Sequence, residues 1–174
     1  VIKIGDYIIR RATPDDMRAV MDINLRTLPE NYTPEFFYIH LRDYPDLFYV
    51  AEINGIIVGY IMCRVEYGIS DFSKYIPKPA RKGHVISIAV LPEHRHKGLG
   101  RMLMKMSIDG MIKRSLDEVY LEVRISNEPA ITLYKSLGFI IIRRIPGYYS
   151  DGEDAYVMSL NLKTITNKNK FLNY

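Results

Sequence analysis

The segment from Gly83 to Gly100, GHVISIAVLPEHRHKGLG, constrains the fold more than any other. A β-branched run, His84 to Val90, ends at Pro92. A short polar turn follows with Arg95, His96, Lys97, Gly98, Leu99 and Gly100, and Arg101 to Ser115 is helix-forming. Strand, glycine-bearing turn and helix in this order leave bare backbone N–H groups at a helix N-terminus. Those groups and the helix dipole favour an anion such as a phosphate. The glycines allow close backbone approach, and Arg95 and Lys97 add positive charge. The plainer reading is a sharp turn with solvated charges, because short glycine motifs are common. The flanking strand and helix favour the phosphate.

The rest of the chain supplies a sheet and its covering helices. Tyr7 to Arg11 reads as a first strand, and Thr13-Pro14-Asp15-Asp16 as a capped helix start. Met17 to Thr27 carries apolar residues at helical spacing, and Thr33-Pro34 opens a second helix reaching Arg42. Leu47 to Ile53 and Ile56 to Val65 are strands joined by Asn54-Gly55, a strong hairpin signal. Gly68 to Gly83 reads as a polar loop. Glu118 to Arg124 is a strand, Asn127 to Leu137 a short helix, and Phe139 to Ile145 with Glu153 to Leu160 a final strand pair. The expected order is β-α-α-β-β-β-α-β-α-β-β, an α/β (α+β) domain with a mixed central sheet of about seven strands and about four helices. Residues 1–160 form the expected domain, and the Asn/Lys-rich 161–174 a C-terminal tail.

Composition narrows the function classes. A length of 174 residues suits one domain with a real core. One cysteine, Cys63, permits no intrachain disulfide, which fits a reducing, cytoplasmic setting. No apolar run approaches the length of a membrane span, and His40, His84, His94 and His96 show no metal spacing, so no metal is expected. A formal charge of +4 suits anionic ligands.

Two signatures then carry a resemblance. Arg95-x-x-Gly98-x-Gly100 after a strand matches the coenzyme A pyrophosphate loop of the GNAT acetyltransferase superfamily. Asn127-x-x-Ala130-x-x-Leu133-Tyr134-x-x-x-Gly138-Phe139 matches its later signature, in the right order with a strand between. LPENY at Leu28 to Tyr32, GHVISIAV at Gly83 to Val90 and YYSDGEDAY at Tyr148 to Tyr156 further resemble the catalytic subunit family of NatA-type protein N-alpha-acetyltransferases, including archaeal and RimI-like relatives. Ser150 departs from the pattern, where an alanine is expected.

The resemblance implies acetyl-CoA as co-substrate, lying along the strand that ends Ile88-Ala89-Val90. Its pantetheine would pair with strand backbone, so the strands His84 to Val90 and Glu118 to Arg124 must splay apart. A backbone N–H near Ala89 or Val90 would polarise the thioester carbonyl. Residues Arg95 to Arg101 would hold the pyrophosphate. Asn127 would bond the pantetheine, though it equally suits an N-cap. The acceptor would be the α-amine of a protein N-terminus, largely protonated at neutral pH, so a base or a water path is needed. Candidates are His84 and Glu30, while Glu122 either orients His84 or a water. Tyr134 would protonate the leaving thiolate or merely position it. Leu28, Pro29, Glu30, Tyr32, Tyr148 and Tyr149 would frame the peptide.

Cys63, mid-strand, reads as a buried inert thiol, which favours direct attack over an acetyl-cysteine intermediate. Three functions compete. The first is N-terminal acetylation with Ser, Ala, Thr or Gly favoured and Met also open. The second is lysine or small-amine acetylation on the same fold. The third is a ribosome- or RNA-associated binding module using the basic stretch Lys78 to Lys82, which would need interleaved aromatics. Partners beyond the substrate, such as an auxiliary subunit or the ribosome, stay open; no membrane and no specific nucleic acid are expected.

Overall fold

The computed structural model describes residues 1–165. Among these residues eight strands form one sheet: β1 Ile2–Ile4, β2 Tyr7–Arg11, β3 Phe48–Ile53, β4 Ile56–Ile69, β5 Pro79–Val90, β6 Glu118–Arg124, β7 Ile140–Ile145 and β8 Ala155–Asn161. Their spatial order is β1-β2-β3-β4-β5-β6-β8-β7. Every neighbouring pair is antiparallel except β5 and β6. The helices are α1 Met17–Thr27, α2 Pro34–Asp43, α3 Leu99–Lys113 and α4 Glu128–Ser136.

Local chemistry explains most boundaries. Asp16 accepts the Thr13 N–H at 2.8 Å and starts the turn that runs into α1. Asn54 and Gly55 take φ of 50° and 78° between paired Ile53 and Ile56, the left-handed geometry of a two-residue hairpin turn. The same device appears where it was not expected. Gly5 at φ 55° turns the chain so that Ile4 pairs with Tyr7, adding an eighth strand of only three residues.

The expected polar loop from Gly68 to Gly83 is shorter than its composition suggests. β4 continues to Ile69 and β5 begins at Pro79, with Tyr67 opposite Arg81 and Glu66 opposite Lys82. Lys82 here faces acidic partners rather than water. Lys82 is 9% exposed, with Nζ 3.2 Å from Asp71 and 3.8 Å from Glu118. The supposed basic stretch Lys78 to Lys82 therefore does not present as a continuous solvated run.

The sheet is sandwiched. Tyr60 on β4 reaches Asn24 of α1 at 3.1 Å and packs edge-on against Phe37 of α2. A Cβ on neighbouring Gly59 would instead meet Leu103 of α3, so α3 covers the opposite face. Tyr60, Phe37 and Phe48 are among the large side chains fully buried between these layers. The chain past β8 still belongs to this core. Leu162 is buried, and its N–H reaches Asp117 O at 3.0 Å. Residues 166–174, the rest of the expected tail, lie outside the described residues. Among the described residues no helix is long and apolar enough to cross a membrane.

Candidate active site

The parallel strands β5 and β6 pair at only three positions: Lys82 with Glu118, Gly83 with Val119, and His84 with Tyr120. Beyond His84 they separate, and a cleft of about 580 Å³ opens between them. Backbone alternation orients β5 toward this gap. Leu91 N–H bonds Val58 O on β4 at 2.9 Å, so the Ile88 and Val90 backbone groups turn away from β4 into the opening. Ala89, paired with Tyr60, turns its backbone toward β4. Of the two backbone N–H groups expected near the thioester, that of Val90 points into the gap and that of Ala89 toward β4.

At the far end of β5 the glycine turn behaves as a helix-entry cradle. His96 and Gly98 both take positive φ, 62° and 84°, and Gly98 is the residue before α3. A glycine there has no side chain to cap the first amides of the helix, which stay available to an anion. The side chains have separate tasks. Arg95 Nε donates to Val90 O at 2.8 Å, folding the turn back onto the strand. Leu99 is buried at 2% exposure and anchors the helix. Arg101 bonds Ser136 of α4, while His96 and Lys97 are exposed.

The acid and base candidates converge on the cleft from three strands. His84 Nε2 lies 2.7 Å from Glu122 Oε2, and its Nδ1 lies 2.7 Å from Glu66 Oε2. Burial opposes a charged ring, but bonds and charge from Glu122 and Glu66 outweigh it and raise the His84 pKa above its ordinary value. Burial likewise works against an ionised Glu66, yet bonds from Tyr120, Arg64 and His84 hold its carboxyl down at about 2. Tyr134 on α4 lines the same cleft. It is 6% exposed, and burial pushes its hydroxyl up to about 12, so it is a protonated donor at neutral pH. Asn127 Oδ1 accepts the Ala130 N–H at 3.3 Å, the capping role, which leaves its amide NH₂ at the cleft wall. Cys63 is fully buried, and burial pushes its thiol up to about 12, an inert state.

The entrance is held by a residue not singled out in the sequence. Arg124, last in β6, bonds Glu30 at 2.7 Å, Asp151 at 2.8 Å and Glu153 at 2.9 Å, and its guanidinium lies 4.1 Å from the Tyr149 ring centroid. It thereby ties the Leu28 to Tyr32 turn to the loop between β7 and β8. Asn24 fixes the same turn from below, donating to Glu30 O at 3.0 Å. Tyr32 donates to Ile86 O at 3.3 Å and stacks on Phe36, and Tyr148 meets Tyr149 edge-on. Leu28 and Pro29 complete the rim. Glu30 is thus brought to the entrance as expected, but already paired.

Sequence reasoning missed Arg64, Glu66, Tyr120 and Arg124. A signal was present. Tyr120, Glu122 and Arg124 alternate on β6, as Arg64 and Glu66 do on β4, so each set shares one face. Among the described residues no group of three or more His, Cys, Asp or Glu could hold a metal ion.

Comparison with known proteins agrees with this layout. Residues 17–139 match the Acetyltransferase (GNAT) family. An N-alpha-acetyltransferase of Sulfurisphaera tokodaii is 48% identical over 158 residues, spanning 90% of this chain and 94% of that protein. The N-terminal acetyltransferase A complex catalytic subunit of Arabidopsis thaliana is 40% identical, spanning 89% of this chain and 78% of that protein. Among solved structures, Ard1 from Thermoplasma volcanium superposes with a TM-score of 0.73 at 31% identity, covering 90% of this chain and 97% of that one. Naa20 of Chaetomium thermophilum, in complex with a bisubstrate analogue, gives 0.77 at 32% identity, covering 94% of this chain and 89% of that one. By the family match and these identities, this chain belongs to the GNAT acetyltransferase family, among its N-alpha-acetyltransferases.

Proposed function

We propose that the protein transfers the acetyl group of acetyl-CoA to the α-amine of protein N-termini by direct attack within a ternary complex. One observation carries the reading. The β5/β6 gap opens immediately beyond His84, with the α3 N-terminus at one end and a peptide-sized rim of Tyr32, Tyr148 and Tyr149 at the other. The fit to acetyl-CoA rests on the chain itself: the Ile88 backbone turned into the gap can pair with pantetheine amides, and the α3 amides can hold pyrophosphate.

In this reading the neutral α-amine attacks the thioester carbon, whose oxygen takes a hydrogen bond from the Val90 N–H. The carbon–sulfur bond then breaks. The nitrogen made positive by the attack gives one proton to the Glu122 carboxylate or to water beside it, Tyr134 supplies a proton to the departing sulfur, and solvent returns a proton to Tyr134 and takes the one held by Glu122. His84 is poorly placed as the primary acceptor, because both its nitrogens already face carboxylates. Glu30, paired with Arg124, shapes the rim and the first-residue pocket rather than taking the proton. Small first residues, Ser, Ala, Thr or Gly, fit beside it, with Met tolerated. A buried single thiol fits work in the cytoplasm. The relative from Arabidopsis is named as a complex subunit, which makes an auxiliary partner a matter for measurement here.

The test is chemical. Purified protein is given acetyl-CoA and peptides with free or blocked N-termini, some carrying internal lysine, and the acetyl group is located by mass spectrometry. Acetyl on the α-amine of free peptides alone supports the proposal. Acetyl on lysine of blocked peptides at a comparable rate overturns it in favour of side-chain acetylation.

A further inference from the structure

Three strands meet around one imidazole. His84 of β5 faces Glu66 of β4 through Nδ1 and Glu122 of β6 through Nε2, each at 2.7 Å. Its ring lies nearly parallel to that of Tyr120, with centroids 4.1 Å apart. Glu66 is itself fixed: one oxygen accepts the Tyr120 hydroxyl, and the other accepts Arg64 Nε at 2.6 Å. An ionised carboxylate only accepts hydrogen bonds. Two carboxylates on the two ring nitrogens need two N–H donors, which only the imidazolium offers. A neutral ring would turn one nitrogen lone pair onto a carboxylate.

The other groups around the ring leave this balance in place. From β4 comes Arg64, whose charge is paired with Glu66. From β6 comes Tyr120, whose oxygen also lies 3.1 Å from His84 Nδ1, with Lys82 Nζ 5.3 Å from the Tyr120 ring centroid. From α2 comes His40, kept neutral chiefly by burial, with Nδ1 on Phe36 O at 2.7 Å. None of these takes a ring nitrogen from the two carboxylates.

We propose that Glu66 is a positioning residue for the acetyl transfer: through Nδ1 it keeps the His84 ring protonated and turned so that Nε2–H stays on Glu122, leaving the second Glu122 oxygen free to accept the substrate proton. The proposal rests on the acetyl-transfer reading of this cleft. It goes beyond that reading by assigning a task to a residue in contact with neither substrate. A purely structural Glu66 would affect stability and lower kcat evenly across pH. A positioning Glu66 moves the pH dependence.

The experiment follows the His84 ring by NMR of ¹⁵N-labelled imidazole, together with kcat against pH, in wild type, Glu66→Gln and Arg64→Gln. Glutamine keeps the size and an acceptor oxygen but removes the charge. In Glu66→Gln the His84 titration midpoint falls by about one unit or more, and the alkaline decline of kcat moves down with it. Arg64→Gln removes a cation and frees Glu66, so the midpoint rises. Opposite shifts support the proposal. An unchanged midpoint in folded Glu66→Gln, or shifts of one sign in both variants, overturns it. If Glu66→Gln does not fold, Arg64→Gln decides alone, and a midpoint that fails to rise overturns the proposal. Ring titration needs no acceptor, so peptides that go unacetylated count against the proposed function and not against this assignment.

Discussion

The proposed coenzyme A cradle gives the sharpest test, because its two glycines differ in a measurable way. Gly98 holds φ at 84°, and a Cβ built there meets nothing within 4 Å. Any loss on substitution must therefore come from backbone strain and not from crowding. An L-residue in this region costs roughly 1–2 kcal/mol, with β-branched residues at the upper end. The turn in Gly98→Val relieves that strain by leaving the left-handed conformation, which withdraws the α3 amides from the anion. At about 1.4 kcal/mol per tenfold, coenzyme A binding should weaken roughly 5- to 30-fold. Gly100 has no positive φ, and its Cβ would sit 3.5 Å from Leu133 Cδ2, an ordinary contact. Gly100→Ala should weaken binding less than about threefold, since helix propensity favours the change. Lys97→Ala removes one exposed charge and should also cost less than Gly98→Val, within the ~0–1 kcal/mol of a surface ion pair. Calorimetric titration with coenzyme A, alongside melting temperatures, measures all three. Undiminished affinity in a Gly98→Val protein of unchanged Tm refutes the backbone cradle. A larger loss in Lys97→Ala than in Gly98→Val would make the site electrostatic instead.

Further outcomes follow from the buried groups. Tyr134→Phe should lower kcat on the order of tenfold to a hundredfold while coenzyme A affinity stays within about twofold; equal kcat would leave Tyr134 a packing residue. Cys63→Ala should keep kcat near wild type, and the native enzyme should resist thiol alkylation, because the thiol is buried and un-ionised; loss of turnover with Tm intact would reinstate an acetyl-cysteine route. The Glu66–His84 contact should show a pH window in stability. Glu66, depressed to about 2 from 4.5, stabilises above 4.5 and loses this as pH falls toward 2. His84, raised above 6.5, stabilises below 6.5 and loses this as pH climbs through its raised value. The Tm difference between wild type and Glu66→Gln should thus be largest near pH ~6 and shrink toward pH ~3; a difference constant across that range would show that charge plays no part.

What the sequence made legible was whatever local chemistry decides. Asn54-Gly55, Thr13-Pro14 and the Arg95 to Gly100 turn each dictate a backbone conformation within four or six residues, and each is where it was expected. The splay of β5 from β6 was legible only through the family resemblance, since no local signal says where two parallel strands stop pairing. Long-range polar pairing stayed hidden. Lys82 reads as a solvated cation until Asp71 and Glu118 are placed beside it, 11 residues before it and 36 after. The same blindness concealed Glu66 and Arg124, whose partners lie on other strands and loops. The motif residues could be singled out from the chain; the residues that pair with them could not, because charge pairing across a sheet leaves no spacing in the chain.

In the proposed reading, substrate choice turns on the pairing of Glu30. Arg124 faces three carboxylates, so removing one leaves it bonded to Asp151 and Glu153 and the rim still closed. Glu30→Val should therefore keep its fold and its coenzyme A affinity. It replaces a carboxylate, which must stay paired or solvated, with an apolar wall beside the first residue of the peptide. A larger apolar first side chain then gains what a small one does not, and a methylene or two in such a pocket is worth roughly 1–3 kcal/mol. The kcat/KM ratio of Met- to Ser-starting peptides should rise about tenfold or more in Glu30→Val. Glu30→Gln, which can still accept from Arg124, should change that ratio less. If Glu30→Val loses activity equally on Ser-, Ala- and Met-starting peptides while Tm and coenzyme A binding hold, Glu30 takes part in the proton transfer itself. If activity and ratio both stay at wild-type values, Glu30 does not line the first-residue pocket, and its bond to Arg124 serves the rim alone.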